Sequence, residues 1–293
     1  MDYDVAEGPC CGYREMSVDR FFTDHWLEID DARLLRYEQM FQWRDGNRAL
    51  LGPANLQPGQ RVLDVGAGPG FFALGIADLV GPGGEVHGVD INARFVADAN
   101  RRAAGRDNVC FHQVADHRLP FSAGYFDRVV CKNVLEYVPD LDAMLAEARR
   151  VLKSGGRIHV IDSDWGFVIV EPWSKAVVDR FFEAAAPAFK EPHIGRKTPG
   201  ALARAGFTEV AVAMLPVIDR EGSAFAVLTN MASYINTFGT LAEGEVAALL
   251  GEARAAIDAG SYLFCLPQFL VTGMALDDDQ KPKDGAEAQR GER

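Results

Sequence analysis

No stretch of this sequence approaches the roughly 18 consecutive apolar residues that cross a bilayer. The longest apolar tracts, such as Val210 to Ile218, are strand-sized and interrupted by Pro216, so no membrane association is expected. Positive charge is also scarce, with 30 Lys+Arg against 42 Asp+Glu and a net charge of −12. Non-specific nucleic-acid affinity comes mainly from cations neutralising phosphates, and this balance argues against a nucleic-acid partner. The five cysteines form no C-x-x-C spacing: Cys10 and Cys11 are adjacent, and Cys110, Cys131 and Cys265 are dispersed. Neither a disulfide framework nor a cysteine zinc motif follows from that pattern. Cys110 and Cys131 sit in apolar strand-like runs and read as small buried hydrophobes. His25, His112 and His193 lack metal-ligand spacing, so no metal is expected. Met1-Asp2-Tyr3-Asp4 carries two acids and no basic start to an apolar run, which is unlike a secretory signal and points to the cytoplasm.

What is present is an ordinary globular profile: 293 residues, 48% hydrophobic and 25% charged, enough to bury a full core unaided. Residues 1–15 are weakly patterned and residues 277–293 almost entirely charged or small, so both ends are expected to be mobile. Residues 16–276 are expected to be a single domain, with lid helices at about 20–52 and an insertion at about 163–206. Within it, strands alternate with helices. Strands are expected at 61–65, 85–89, 109–114, 126–131, 157–161, 209–217 and 263–272. Helices are expected at 71–80, from an Asn92 cap to about 104, at 141–152 closed by Gly155-Gly156, and at 174–188. A short helix opening with Thr198-Pro199 and ending at Gly206, one at 224–238, and one at 240–259 with a Thr240…Glu243 capping box complete the set. This alternation implies an α/β fold, a seven-stranded, mostly parallel sheet with helices on both faces.

The turn after the first strand, Asp64-Val65-Gly66-Ala67-Gly68-Pro69-Gly70, is G-x-G-x-G, with Phe71 where a dinucleotide binder has its third glycine. Glycines there permit a sharp turn and close ligand approach, though a turn without a ligand would use them too. Asp90 lies 24 residues beyond Gly66, where an acid can accept both ribose hydroxyl hydrogens. Asp116 follows the third strand and Lys132-Asn133 the fourth. Parallel strands bring their carboxyl ends to one edge, so these residues converge on one crevice, although each acid alone could be a solvated loop residue or a cap.

These blocks resemble the class I S-adenosylmethionine (SAM)-dependent methyltransferases, with their Rossmann-like fold. The resemblance is to the small-molecule branch of the ubiquinone/menaquinone-biosynthesis enzymes. The matching stretches are Val62 to Gly70, Val86 to Asp90, Ala115 to Phe121, Phe126 to Val130 leading into Val134 to Val138, and Glu147 to Arg157. The resemblance implies that Gly66, Ala67 and Gly68 line the methionine part of SAM, with Asp64 supporting its amino group. Asp90 would hold the ribose and Ile91 would pack on the adenine. Asp116 would accept from the adenine amine beside the His117 backbone, and Asn133 would sit near the transferred methyl. Arg48 would reach the SAM carboxylate, although helix periodicity equally permits Arg44 or a purely solvated role. A sulfonium cation without phosphate suits an acid-edged crevice better than a pyrophosphate does.

The expected activity is methyl transfer from SAM to O, N, S or C of a small-molecule acceptor, yielding S-adenosylhomocysteine. Two alternatives stay open: a SAM-binding, non-catalytic regulator or partner subunit, and an NAD(P)-dependent oxidoreductase. A homodimer is compatible with the sequence. Acceptor recognition is expected outside the matched blocks, with His193 and Asp164 as candidate bases. Tyr37, Trp165, Trp173 and Arg196 are candidate contacts, and core packing is the competing reading for the tryptophans.

Overall fold

The computed structural model describes residues 20–276; the expected mobile ends, with Cys10 and Cys11, lie outside the described residues. In chain order the helices are α1 (Phe21–Leu27), α2 (Asp31–Phe41), α3 (Gly46–Leu51), α4 (Phe71–Val80), α5 (Ala93–Arg102), α6 (Leu141–Val151), α7 (Lys175–Ala185), α8 (Ile194–Arg204), α9 (Phe225–Phe238) and α10 (Glu243–Asp258). The strands are β1 (Arg61–Val65), β2 (Glu85–Asp90), β3 (Val109–Gln113), β4 (Phe126–Lys132), β5 (Leu152–Ser163), β6 (Ile169–Glu171), β7 (Thr208–Leu215), β8 (Ile218–Asp219), β9 (Leu263–Cys265) and β10 (Gln268–Met274). Seven of them form one sheet in the order β3-β2-β1-β4-β5-β10-β7. The first five run parallel, and β10 is antiparallel to both of its neighbours. This is the α/β, Rossmann-like class I methyltransferase architecture.

Alternation along the strands divides the core between two faces. Val62, Val130, Ile161 and Leu270 pack with Ala73, Ile76 and Val80 of α4 and Leu50 and Leu51 of α3. Leu63, Val129, Val160 and Val271 face Leu145 and Ala148 of α6 and Ile194 and Leu202 of α8. A third cluster joins α7, α9 and α10 around Phe181, Leu228 and Tyr262. Asn92 caps α5 as expected, accepting from the backbone of Arg94 at 2.9 Å and Phe95 at 3.1 Å.

Four local expectations are corrected. Gly155-Gly156 does not close a helix, because β5 already begins at Leu152. Thr198-Pro199 does not open α8, which starts at Ile194. Docking of Gly195 against Phe269 and the Ser163 carbonyl holds an extra turn, and Thr198 Oγ1 donates to the Ile194 carbonyl at 2.8 Å. Tertiary contact there outweighs the proline's cost inside a helix. Thr240 does not cap α10, whose N-cap is Ala242; its hydroxyl instead donates to the Ala184 carbonyl at 2.7 Å. The single strand expected at 263–272 is two strands, since the chain leaves β9 and enters a different sheet as β10. β9 pairs with β6 and β8 in a small antiparallel sheet that the strand count did not foresee. No helix among the described residues is long and apolar enough to cross a membrane.

Candidate active site

The carboxyl ends of β1, β2, β4 and β5 meet at one edge. After β1 the backbone N–H groups of Gly66 and Ala67 both donate to the Val89 carbonyl, at 2.8 and 2.9 Å, hooking the turn onto β2. Gly66 and Gly68 have φ values of 71° and 53°, but their surroundings differ. A Cβ on Gly66 would fall 2.2 Å from Val134 Cγ2, whereas the nearest atom to a Cβ on Gly68 is Phe41 Cδ2, at 3.9 Å. Gly66 is thus required by packing, and Gly68 presents bare backbone to open space.

Asp90 ties this turn to the second strand. Its Oδ2 accepts from the Gly68 N–H at 2.8 Å and its Oδ1 from the Asn92 N–H at 2.9 Å. Burial raises its pKa against these donors. The Ile91 N–H is a third backbone donor to this carboxylate, which still keeps acceptor capacity for a hydroxyl.

Asp64 is buried at 2% exposure, and its Oδ2 has no hydrogen-bond partner. Burial lifts its pKa to about 8, with Lys132 pulling it down and the Asp90 charge adding to the rise. An orphaned carboxylate oxygen in a buried site carries a large desolvation cost, which a cationic ligand would offset. The orphaned oxygen, the bare Gly68 backbone and the remaining acceptor capacity of Asp90 fit a ligand that is cationic at one end and hydroxylated at the other, as SAM is. Lys132, on β4, is held below its ordinary pKa by burial despite Asp64, Asp162 and Glu136. Its Nζ donates to Asn133 Oδ1 at 3.0 Å. Asn133 occupies the left-handed region at φ 54°, an uncommon conformation for a side-chain-bearing residue and typical of functional turns. Its Nδ2 donates to Ser163 Oγ at 3.3 Å.

Two acids that the sequence reading did not single out as site residues lie in the same interior. Asp162 is fully buried at the end of β5, accepting from the N–H groups of Leu135 at 3.1 Å and Ser163 at 3.0 Å. Burial raises its pKa to about 7 against those donors. Glu136 is pushed well above the carboxylate range by burial and by Asp162, while Trp165 Nε1 donates to it at 2.8 Å. The available signal was an acid in an otherwise apolar segment, as in Val160-Ile161-Asp162 and Val134-Leu135-Glu136.

Helices α1 and α2 cross this edge. The Trp26 carbonyl accepts from Asn92 Nδ2 at 2.7 Å, and Thr23 Oγ1 donates to the Tyr137 carbonyl at 3.3 Å. Trp26 packs on Tyr37 and Tyr137, with ring centroids 4.9 and 5.1 Å apart, and Tyr37 stacks on Phe41 at 5.4 Å. Tyr37 is buried, and its hydroxyl meets Asn230 Oδ1 and Tyr234 Oη, each at 3.3 Å. Trp26 on α1 and Tyr137 in the turn after β4 are aromatic residues at this edge that the sequence reading did not name as site residues.

The remaining candidates fall in several places. Asp116 is exposed, its Oδ1 accepting from the Arg118 N–H at 2.7 Å; Ile91 and His117 are half-buried. Arg48 is exposed on α3. Asp164, by contrast, is sealed in a different set of contacts. Its two oxygens engage Arg196 Nε and Nη2, the latter at 2.7 Å, with His193 Nδ1 and the Gly166 N–H each at 3.0 Å. Burial would raise its pKa, but these partners hold it below the usual range. A carboxylate accepting from so many donors is a poor base, while Arg196 uses Nε and Nη2 on it and keeps its side chain 48% exposed. Trp173 is core, buried at 6% exposure and packed on Phe181. Trp165 reaches inward to Glu136 between Phe182 and Phe189. Asp164 thus stands in one hydrogen-bonded group with Arg196 and His193, and Trp173 packs in the core. His87, Cys110 and His112 lie together across β2 and β3, a grouping that no spacing along the chain shows.

Residues 56–197 match a family model described as a methyltransferase domain. The chain is 38% identical over 113 residues to a ubiquinone/menaquinone biosynthesis C-methyltransferase of Cupriavidus metallidurans, a match covering 38% of this chain and 46% of that protein. It is 29% identical over 189 residues to an uncharacterized 37.1 kDa protein of Streptomyces fradiae, covering 62% and 53% respectively. The chain thus spans about half the length of these curated relatives. Among solved structures it resembles phosphoethanolamine N-methyltransferase 2 of Haemonchus contortus in complex with SAM, with a TM-score of 0.60 and 19% identity over 87% of this chain and 60% of that one. It also resembles the YcgJ protein of Bacillus subtilis, with a TM-score of 0.53 and 23% identity over 78% and 97%. The chain therefore has the fold of the class I methyltransferases, and residues 56–197 are similar to a methyltransferase domain and to part of the ubiquinone/menaquinone-biosynthesis C-methyltransferases.

Proposed function

We propose that this chain transfers the methyl group of SAM to an O, N, S or C nucleophile of a small-molecule acceptor. The observation that carries the reading is the buried, unpartnered Asp64 oxygen beside the open Gly68 backbone. SAM supplies an electrophilic methyl on a sulfonium. Asp64 would face the methionine amine and Asp90 the ribose hydroxyls, with Ile91, Asp116 and His117 toward the adenine. Asn133, fixed by Lys132 and Ser163, would border the reacting end. Arg48 remains the candidate for the carboxylate. The main task of such a site is to hold two reactants in line, a contribution of up to about 7–11 kcal/mol.

The rings of Trp26, Tyr37, Phe41 and Tyr137 over the crevice support an apolar acceptor. His193, hydrogen-bonded to Asp164 and with its side chain 43% exposed, is reassigned to that ion-pair group. A homodimer fits this reading, supported by the exposed apolar residues Val212, Met214, Val217 and Ile218 beside the edge of the main sheet.

Calorimetry with SAM and with NADH, followed by a radiolabelled-methyl assay against an acceptor library, tests the assignment. SAM should bind 1:1 and NADH should not. Asp90→Ala should weaken SAM roughly 10- to 100-fold, the loss of a charge-assisted hydrogen bond of about 1.5–3 kcal/mol. Unchanged affinity would remove Asp90 from the ribose site. Binding without turnover on any acceptor would favour the non-catalytic regulator.

A further inference from the structure

We propose that His87, Cys110 and His112 form a three-ligand zinc(II) site that clamps the edge strand β3 to β2, with Glu85 as the outer partner of His87. The site lies away from the SAM crevice and does not depend on the methyl-transfer reading.

Register builds the cluster. Within the parallel β2–β3 pair, His87 is opposite Cys110 and Val89 opposite His112. Positions two apart share a face of a strand, so the three side chains project on the side opposite Phe111, which packs against Ala99 of α5 and the α4 residues. His87 Nδ1 lies 2.9 Å from His112 Nε2 and 3.1 Å from Cys110 Sγ, and Sγ lies 3.4 Å from His112 Nε2. Tetrahedral zinc, with Zn–N of about 2.0–2.1 Å and Zn–S of about 2.3 Å, holds its ligand atoms roughly 3.3–3.6 Å apart. An opening of a few tenths of an ångström in side-chain torsions brings the trio to that spacing.

The outer contacts prepare the ligands. Glu85 Oε1 lies 2.6 Å from His87 Nε2, so the ring proton is on Nε2 and the Nδ1 lone pair points into the cluster. Glu85 is itself fixed by the Tyr125 hydroxyl at 2.8 Å and by Arg61 Nε at 3.2 Å. A carboxylate on the far nitrogen of a ligating histidine is the usual support of a protein zinc site. Phe121, Tyr125 and Phe126 wall the His87 ring at 5.0, 6.0 and 5.7 Å between centroids, and the His87 side chain is only 12% exposed. Without a metal, the one Nδ1 lone pair of His87 serves both the His112 and Cys110 contacts. Two imidazoles and a thiolate select zinc over magnesium or calcium, which prefer oxygen ligands. On binding, the Cys110 Sγ–H bond breaks, its proton passes to solvent, and a Zn–S bond forms. The fourth position is left for water.

The test uses the full chain carrying Cys10→Ser and Cys11→Ser, which removes the other adjacent thiols, with zinc chloride alone as probe. Chelator-competition titration should give one zinc per chain with a Kd below micromolar. Cys110→Ser and His112→Ala should each lose at least tenfold, and Glu85→Gln about 10- to 100-fold. Cobalt(II) should show a thiolate charge-transfer band that Cys110→Ser abolishes. In the chain with Cys110 intact, zinc should protect Cys110 from alkylation, a readout independent of whether the variants fold. Absence of stoichiometric zinc, or an alkylation rate of Cys110 unchanged by zinc, would overturn the site.

Discussion

Asp64 stands at the end of a strand buried on both faces, and its unpartnered oxygen makes its charge costly. Its folded pKa of about 8 lies above the unfolded value of 3.8. The stability this group contributes to the unliganded protein is therefore fully present below pH 3.8 and is lost as pH rises through 8. A cationic ligand favours the ionised form, so SAM binding near pH 7 should release protons. Calorimetry in buffers of differing ionisation enthalpy should show that release shrinking in Asp64→Asn, with affinity falling roughly 10- to 100-fold. Equal proton release in both proteins would leave Asp64 outside the cofactor site. The sequence identified Asp64 through its place before the glycine turn. Position after β5 says nothing about the direction in which Asp164 points. Asp162 and Asp164 have the same parity along the chain, yet one accepts backbone N–H groups in the interior and the other is enclosed by Arg196 and His193.

At the scale of elements, α1 depends on a neutral histidine. His25 is fully buried, stacked on Phe21 with centroids 4.6 Å apart and 3.3 Å from the Tyr234 hydroxyl. Burial lowers its pKa to about 3, the Phe21 carbonyl opposing the shift and Arg33 adding to it. With the folded pKa below the unfolded 6.5, its contribution is present above pH 6.5 and lost as pH falls toward 3. The sign is opposite to that of Asp64. Amide exchange in α1, corrected for intrinsic rates, should rise several-fold from pH 7 to pH 5, and His25→Gln should flatten that dependence. The elements themselves were legible where a local signal was strong: the Asn92 cap, the glycine turn and the apolar strands β1 to β4. The start of α8 and the break between β9 and β10 were not, because packing of Gly195 on Phe269 and pairing of β9 with β6 set them.

For the whole molecule, β7 is an edge strand of the main sheet among the described residues, with Val212 and Met214 51% and 47% exposed, and Val217 and Ile218 follow at 43% and 60%. Unpaired edges carrying apolar side chains favour association. Light scattering after size exclusion should give about twice the 32.0 kDa chain mass, and Val212→Lys with Ile218→Lys should return it to the monomer. A monomer in the unsubstituted protein would assign the patch no role in self-association.

The sequence by itself determined the strand and helix alternation, the glycine turn, and the acids at or just past the ends of β1, β2 and β3. Each of these depends on neighbours within a few residues, and the topology of parallel strands then sends their carboxyl ends to one edge. Tertiary structure alone decided which buried acid lacks a partner, which is neutralised by an arginine, and which aromatic rings close over the edge. It also brought His87, Cys110 and His112 together, because strand register joins residues more than twenty positions apart that no spacing rule along the chain can connect.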